Sequence, residues 1–230
     1  MAASLTARDL LDSRLAEILA EPGCPVCRYR NRSARRFIAA ILAESVNDRG
    51  FRRDLDRARG FCPAHTHDVL AADRRESGGT VAAAILFGAV ATVRDEELAA
   101  AVAQRGRTRS NRLAAARRPA ECPACAESAA AEGHAVARLV DRTSDAGWSE
   151  ALGAAEVCFD HLLVLAMAGA AVASWAPAEE RQRERIAELR ERLRLYAYHS
   201  SHDRRHLLTE EERRSADEAA RLLGGTPPEA

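Results

Sequence analysis

Apolar residues recur along most of this chain at the three- and four-residue spacing of an amphipathic helix. The first such segment runs from 4 to 20, and Ser4 or Thr6 is expected to cap it. Its shared apolar face consists of Leu5, Leu11, Leu15, Ile18 and Leu19. Further helices are predicted over 28–46, 63–75, 81–104, 125–141, 144–152, 158–175, 177–205 and 210–223. A short charged segment precedes residue 59, and 224–228 is expected to fray at the end of the chain.

Composition supports a fold made of helices alone. Apolar residues make up 47% of the chain, many of them alanine, whereas aromatic residues make up only 4%. Alanine has the highest helix propensity, and strand-forming residues are scarce. The two longest apolar runs, at 79–93 and 162–175, are shorter than the roughly 20 residues that span a bilayer. We therefore predict an all-α protein with buried core helices, no membrane segment, no secretory signal and a cytoplasmic location.

All six cysteines lie in four short segments that form a repeating pair. Cys24-Pro25-Val26-Cys27 is followed by Cys62-Pro63-Ala64-His65, and then Cys122-Pro123-Ala124-Cys125 by Cys158-Phe159-Asp160-His161. The two CxxC motifs are 98 positions apart and the two CxxH motifs are 96 positions apart. These nearly equal offsets indicate an internal duplication and predict a pseudo-twofold relation.

The motifs indicate two metal sites of the same ligand type. A CxxC chelates one ion, and in a CxxH at a helix start the two side chains lie on the same side of the first turn. Taking neighbouring motifs together, we expect one site from Cys24, Cys27, Cys62 and His65, and a second from Cys122, Cys125, Cys158 and His161. Three thiolates and one imidazole are typical of closed, tetrahedral structural zinc, so two zinc ions are expected. An iron–sulfur cluster, buried free cysteines and disulfides are the alternatives.

The same residues carry a resemblance to a known family. Cys24 to Arg28, the run Glu44-Ser45-Val46-Asn47-Asp48, and Gly60 to His65 are similar to motifs of an uncharacterised bacterial family described only as a domain of unknown function. In that family a CPxC and a CxxHL recur in the second half, as at 122–125 and 158–162 here. A segment like His202-Asp203-Arg204 before an acidic final helix also recurs. The resemblance implies the duplicated architecture and brings no activity with it.

Two weaker features also have simpler structural explanations. His199, His202 and His206 could share one helix face and form a third metal or general-base site, although a solvated helix end also explains them. The arginine-rich stretch 105–120 could bind nucleic acid. However, the 34 basic and 34 acidic residues balance, and no aromatic residues interleave with the arginines. A solvated linker is the preferred interpretation. No phosphate loop, GxSxG or HExxH motif occurs.

The prediction is thus a duplicated, zinc-stapled helical unit followed by a C-terminal helical hairpin. Its expected parts are a first zinc-binding repeat at 1–104, the linker at 105–120, a second repeat at 121–176 and the hairpin and tail at 177–230. The expected function is a scaffold or interaction protein, with another protein or a second copy as partner and no nucleic acid or membrane. A thiol-based redox or metal-responsive regulator is the first alternative. An enzyme that uses the C-terminal histidines or a cavity between the repeats is the second.

Overall fold

A computed structural model describes residues 5–117 and 121–227 of the chain. As predicted, these residues form helices, and no strand occurs among them. The helices are α1 (Leu10–Leu19), α2 (Pro25–Ala40), α3 (Arg49–Arg57), α4 (Pro63–Ser77), α5 (Val81–Val102), α6 (Gly106–Ala116), α7 (Pro123–Arg142), α8 (Ala146–Ala154), α9 (Phe159–Gly169), α10 (Ala176–His199) and α11 (Glu210–Gly224). Ile41–Ser45 continues α2 as a π-helical turn, and short 3₁₀ turns occupy Ala173–Trp175 and Arg205–Leu207. Ser4, Arg118, Pro119 and Pro228, which entered the predictions above, lie outside the described residues.

Helix α1 begins later than its apolar pattern predicted. The cap is Asp9, whose carboxylate accepts the Asp12 backbone N–H at 2.9 Å, and Thr6 lies outside the helix. A short polar side chain at this position satisfies one of the unpaired N–H groups of the first turn. The apolar residue Leu5 still packs against the core without being helical. Periodicity therefore identified a buried face correctly but extended the helix beyond its cap.

The stretch predicted as a linker contains helix α6. Alanine and arginine are both good helix formers, so the local sequence favours this outcome even though no α6 side chain is buried. The last carbonyl groups of α6 also have donors. Arg59 donates to the Ala115 carbonyl at 3.0 Å, and Arg94 donates to the Ala116 carbonyl at 2.9 Å. Cations at the C-terminal end of a helix stabilise it.

The chain divides into two compact units that do not follow the order of the sequence. Unit 1 comprises Met1–Asn31 and Ala131–Ala230, and unit 2 comprises Arg32–Ala130. The boundaries fall inside α2 and inside α7. The predicted repeats at 1–104 and 121–176 are segments of sequence, and each contributes residues to both units. Each unit has its own cluster of buried apolar residues.

Unit 1 is built around Trp148, Leu139, Leu152 and Leu165, which are almost completely buried. Helix α10 packs against α8, and the fully buried side chain of Gln182 lies at this contact. The Gln182 amide nitrogen, with its two N–H groups, lies 2.8, 3.1 and 2.9 Å from the carbonyl oxygens of Leu152, Gly153 and Ala155. These carbonyls lie at and just beyond the C-terminus of α8, where the regular helical hydrogen bonds end. Backbone N–H groups of the following turn reach two of them, from Ala155 to Leu152 and from Val157 to Ala155. One side chain thus terminates α8 and fixes α10 upon it.

The predicted C-terminal helical hairpin is confirmed, because α10 and α11 pack against each other. Glu218 of α11 accepts from Arg185 at 3.1 Å and from Arg192 at 2.8 Å. A capping box opens α11, with the Thr209 hydroxyl and the Glu212 carboxylate each accepting the other residue's backbone N–H. Glu212 also accepts from His199 at 3.0 Å, which joins the end of α10 to the start of α11.

Unit 2 contains α3 to α6, the second part of α2 and the first part of α7. Its buried centre includes Ile38, Leu55, Val69 and Leu86. The buried carboxylate of Asp73 accepts the Ala83 backbone N–H at 2.8 Å and thereby caps α5 from the neighbouring helix α4. Among the described residues, no helix is long and apolar enough to cross a membrane.

The Gln182 contacts generate a test of how unit 1 is held together. Gln182→Leu nearly keeps the side-chain volume but removes a donor from three carbonyl groups, of which only those of Leu152 and Ala155 keep the backbone donors described above, and this costs about 1–3 kcal/mol of unfolding free energy. Urea unfolding followed by circular dichroism measures this loss. Arg183→Ala is the control, because Arg183 makes only an exposed pair with Glu180 and should change the unfolding free energy by less than about 0.5 kcal/mol. Equal midpoints for the two variants would contradict the role of Gln182.

Candidate metal centres

Each cysteine motif opens a helix, as predicted. Cys62 and Cys158 are the capping residues of α4 and α9, while Cys24 and Cys122 directly precede the first residues of α2 and α7. Three of the four motifs have proline as the first helical residue, where its missing N–H costs nothing. The second ligand of each motif follows three residues after the first, so both project from the same side of a first turn. The local sequence thus fixes four pairs of ligands.

The structure joins these pairs across the two halves of the chain, and this corrects the grouping expected from the sequence. Cys24 and Cys27 meet Cys158 and His161, whereas Cys62 and His65 meet Cys122 and Cys125. The sequence predicted that the first CxxC would join Cys62 and His65, and that the second CxxC would join Cys158 and His161. In the structure each CxxH joins the other CxxC instead. All eight predicted ligand residues therefore take part, but each CxxC is paired with the CxxH of the opposite half.

The spacing of the motifs along the sequence does not distinguish the two groupings. Both give two sets of three cysteines and one histidine, and both are compatible with offsets of 98 and 96 positions. They differ only in the length of chain that lies between the two motifs of each pair. The observed groups span 131 positions between Cys27 and Cys158, and 57 between His65 and Cys122. The entropy of loop closure rises by only about 0.6 kcal/mol for each doubling of length, so packing of the helices readily outweighs it.

The first group, here called centre 1, lies within unit 1 and is buried. It has the geometry of a tetrahedral site around one small ion. With zinc–sulfur bonds of about 2.3 Å and zinc–nitrogen bonds of about 2.0 Å, tetrahedral ligands would be about 3.8 Å apart for two sulfurs and about 3.5 Å apart for sulfur and nitrogen. The Sγ atoms of Cys27 and Cys158 are 3.8 Å apart. His161 Nδ1 lies 3.5, 3.3 and 3.0 Å from the Sγ atoms of Cys24, Cys27 and Cys158.

The second group, centre 2, lies within unit 2 and has the same geometry. The Sγ atoms of Cys62 and Cys125 are 3.7 Å apart. His65 Nδ1 lies 3.3 Å from Cys62 Sγ and 3.4 Å from the Sγ atoms of both Cys122 and Cys125. In each centre the four ligand atoms lie within 4.8 Å of one another. All six cysteines are free, and sulfur–sulfur distances of 3.7 and 3.8 Å are far beyond a bond of about 2.05 Å.

Ionisation in centre 1 shows that the site attracts positive charge. Hydrogen bonding with Cys158 and then with Cys24 lowers the pKa of Cys27, whereas the same kind of contact with Cys158 and Cys27 raises the pKa of Cys24. Burial lowers the pKa of His161, but hydrogen bonds with Cys158 and Cys27 outweigh it and raise this pKa to about 10. The contacts with the sulfurs thus favour positive charge at the imidazole nitrogen that faces them. A metal cation at that position would favour all three thiolates at once.

Residues outside the cysteine motifs complete centre 1. His161 Nε2, the ring nitrogen that does not face the sulfurs, lies 3.5 Å from the Glu132 carboxylate, which also accepts from Arg30 at 3.3 Å. A carboxylate at the second nitrogen of a metal-binding histidine fixes the orientation of the ring. The residues next to Glu132 in the sequence do not predict its contact with His161, because that contact depends on where α9 lies relative to α7.

The C-terminal tail also covers centre 1, contrary to the expectation that it frays. The Thr226 hydroxyl accepts the Cys24 backbone N–H at 2.7 Å, and the Thr226 carbonyl accepts from Asn31 at 3.2 Å. Gly225 has φ of 75°, and a Cβ at this residue would lie 3.1 Å from Cys27 Sγ. Glycine therefore allows the tail backbone to lie directly against the ligand sulfur. These contacts are nonlocal and leave no signal in the sequence.

The predicted histidine cluster does not form. Helix α10 ends at His199, and residues 201–204 form a turn, so His202 and His206 do not share a helix face with His199. The hydroxyl of Ser200 donates to the Tyr196 carbonyl at 2.6 Å, competing with continuation of the helix. His199 instead hydrogen bonds to Glu212 and lowers the pKa of that carboxyl. Centres 1 and 2 are the only candidate metal-binding groups found in the described ranges.

Comparison with known families agrees with the motifs. Residues 14–174 match the model of a family described as a family of unknown function (DUF6062). The chain belongs to this family. The matched span contains all eight candidate ligands and ends before α10, so the hairpin that bears Gly225 and Thr226 lies outside it. No curated protein and no solved structure matches the chain.

The pairing across the two halves can be tested by counting bound metal in double variants. Cys27→Ser with Cys158→Ser removes two ligands of centre 1 and should abolish one equivalent of tightly bound metal. Cys27→Ser with Cys62→Ser removes one ligand from each centre and should weaken or abolish both equivalents. Elemental analysis after dialysis against a mild chelator measures the difference.

These two variants carry the same number of substitutions, so each is the matched control of the other. Cys62→Ser with Cys122→Ser provides the reciprocal case for centre 2 and should also leave one equivalent bound. Grouping of neighbouring motifs predicts the reverse outcome: two equivalents lost for Cys27 with Cys158, and one for Cys27 with Cys62. That result would contradict the structure.

Proposed function

We propose that this protein is a cytosolic helical scaffold whose two Cys₃His centres bind zinc as structural ions. The observation that carries the proposal is the convergence of three sulfurs and one imidazole nitrogen at tetrahedral spacing, twice in one chain. Thiolate and imidazole ligands in a closed set of four are typical of structural zinc. Because every coordination position would be filled by the protein, neither centre offers zinc a position for water or substrate.

Zinc is favoured over an iron–sulfur cluster by the size of the sites. In both centres all four ligand atoms lie within 4.8 Å of one another, which suits a single ion at their middle. A cluster of several iron and sulfide atoms would hold its ligands farther apart. Ligand softness agrees, because thiolate-rich tetrahedral sites select zinc among the common divalent ions that have no redox chemistry.

Metal binding in this arrangement would act on the tertiary fold. Centre 1 joins the starts of α2 and α9, and centre 2 joins the starts of α4 and α7. The ligands of centre 1 thus close a large loop that contains all the ligands of centre 2. Metal binding to such sites is coupled to folding, with apparent free energies on the order of 10 kcal/mol in small zinc modules.

The zinc proposal is tested by the metal content and spectrum of the purified protein. We expect two equivalents of zinc and no visible absorption. Replacement by Co²⁺ should give the intense bands of tetrahedral thiolate coordination, with two equivalents at saturation. A brown protein that contains iron and sulfide, or a protein that remains fully folded and binds no metal, would overturn the proposal.

The interaction part of the proposal is supported by α9. Its side opposite the core exposes four large apolar side chains: Phe159, Leu163, Val164 and Met167. Exposed apolar patches on a protein surface mark interaction sites. We assign a second copy of this chain as the occupant, because a twofold axis would bring these four apolar side chains against their own equivalents.

Self-association through α9 can be measured directly. Met167→Glu, at a position 78% exposed, should shift the protein from dimer to monomer in analytical ultracentrifugation because it places two like charges at the contact. Leu98→Glu is the control, since Leu98 is an exposed apolar residue on α5 and should leave the dimer intact. A wild-type protein that stays monomeric at high micromolar concentration would refute this assignment.

A further inference from the structure

The two centres have the same ligands but different exposure to solvent. In centre 1 the relative exposures of Cys24, Cys27, Cys158 and His161 are 0, 2, 3 and 4%. In centre 2 only Cys122 is buried, Cys62 and His65 are half-buried, and Cys125 is exposed. A chelator, an electrophile or an oxidant must reach a ligand sulfur before it can remove the metal. Such reagents can approach centre 2 through Cys125.

Further contacts restrict access to centre 1. The tail segment 225–226 lies against it, with Thr226 bound to the Cys24 backbone and no space for a side chain between residue 225 and Cys27 Sγ. The Glu132 carboxylate lies at the outer nitrogen of His161. These groups oppose both the entry of a competing ligand and the rotation of the imidazole away from the metal.

The surroundings of Cys125 also favour oxidation. It is the third residue of α7, and it is the one exposed ligand of centre 2. Its sulfur is 3.7 Å from that of Cys62, so a second cysteine lies next to the first. An accessible cysteine with a second cysteine beside it is the arrangement found in redox-sensitive sites.

From these observations we propose that centre 2 is an exchangeable, oxidant-sensitive metal site, whereas centre 1 is a permanent one. The proposal rests on the zinc function above and divides it between the two centres. Its oxidant is a hydroperoxide. The Cys125 thiolate attacks the peroxide oxygen, the O–O bond breaks, and Cys125 becomes a sulfenic acid as the leaving oxygen takes up a proton and departs as water or an alcohol.

The second step involves Cys62. Its thiolate attacks the Cys125 sulfur, a disulfide forms, and the hydroxide that leaves takes up a second proton to become water. The two sulfurs together lose two electrons, and the peroxide gains them. Zinc then retains only Cys122 and His65 and dissociates, while centre 1 keeps its ion. Centre 2 would thus convert a peroxide signal into loss of metal from unit 2.

The first experiment measures the rate at which each ion leaves the full-length protein. Protein shown to contain two equivalents of zinc is mixed with a colorimetric chelator, 4-(2-pyridylazo)resorcinol. We expect one equivalent to leave at least ten-fold faster than the other. Cys125→Ser should abolish or further accelerate the fast phase and leave the slow phase unchanged. Release of both equivalents at one rate would overturn the proposal.

Thr226→Val is the matched variant for centre 1, because it keeps all eight ligands and removes only the acceptor for the Cys24 N–H. It should accelerate the slow phase several-fold without altering the fast phase. Acceleration of the fast phase alone would show that the rates are assigned to the wrong centres. Protein that contains no zinc before the chelator is added would instead contradict the proposed function, so the two failures are distinguishable.

The second experiment identifies the reactive thiols in the wild-type chain and needs no variant. Zinc-loaded protein is treated with hydrogen peroxide, then alkylated and mapped by mass spectrometry. A disulfide between Cys62 and Cys125 with release of one zinc is the expected result. Alkylation or oxidation of Cys24, Cys27 and Cys158 at the same rate as Cys125 would refute the difference between the centres, and unchanged thiols with two zincs retained would refute oxidant sensitivity.

Discussion

Three sulfurs crowded around one imidazole nitrogen are the constraint on which the described fold depends. Thiolates this close repel one another strongly when buried. If the cysteines were neutral thiols, they would make only weak hydrogen bonds to one another. In centre 1 the conflict appears in three of the ligands, because the pKa values of Cys24 and Cys27 move in opposite directions and the pKa of His161 rises. A divalent cation at that position would remove the conflict. Each unit contains one such group of four ligands that could hold a metal ion.

The ligands lie at the starts of helices, and this gives the metal influence over tertiary structure. Each CxxC or CxxH is rigid by itself, since both its ligands belong to one first turn. A bound metal would join two such turns, and the helices that follow would have to pack around that junction. Side-chain contacts of unit 1 are compatible with such a junction at centre 1. Gln182 and the ion pairs of Glu218 fix α10 and α11, so that the tail reaches Cys24.

How much of this arrangement the sequence could predict depends on the range of each interaction. The helical class and the eight residues of the metal-ligand groups followed from local spacing, because each is decided within a few residues. The predicted start of α1 was wrong because a single cap decides it. The helix at 106–116 was not predicted, and the guanidinium groups that bind its last carbonyls come from distant residues. Periodicity contains no information on such partners.

The pairing of the CxxC and CxxH motifs is the feature that could least be predicted from the sequence. The two CxxC motifs offer the same two ligand atoms, so each could pair with either CxxH, and the sequence favours the nearer one only through a small difference in loop entropy. Helix packing decides instead, and packing depends on side chains from the whole chain. The covering of centre 1 by Gly225 and Thr226 is nonlocal in the same sense, since a terminal Gly-Gly-Thr resembles a frayed end until the partner at Cys24 is known.

Identical ligand sets need not hold a metal equally tightly. The ligands fix the coordination geometry, but the rate at which a bound metal leaves depends on what lies outside them. Centre 1 has Glu132 at its imidazole and the tail at its sulfurs, whereas centre 2 has an exposed sulfur. The covering residues Gly225 and Thr226 follow α11 and lie outside the span that matches the family model. Retention of a metal in centre 1 would thus depend partly on a segment outside the four cysteine motifs, whereas the exposure of Cys125 leaves centre 2 open to solvent.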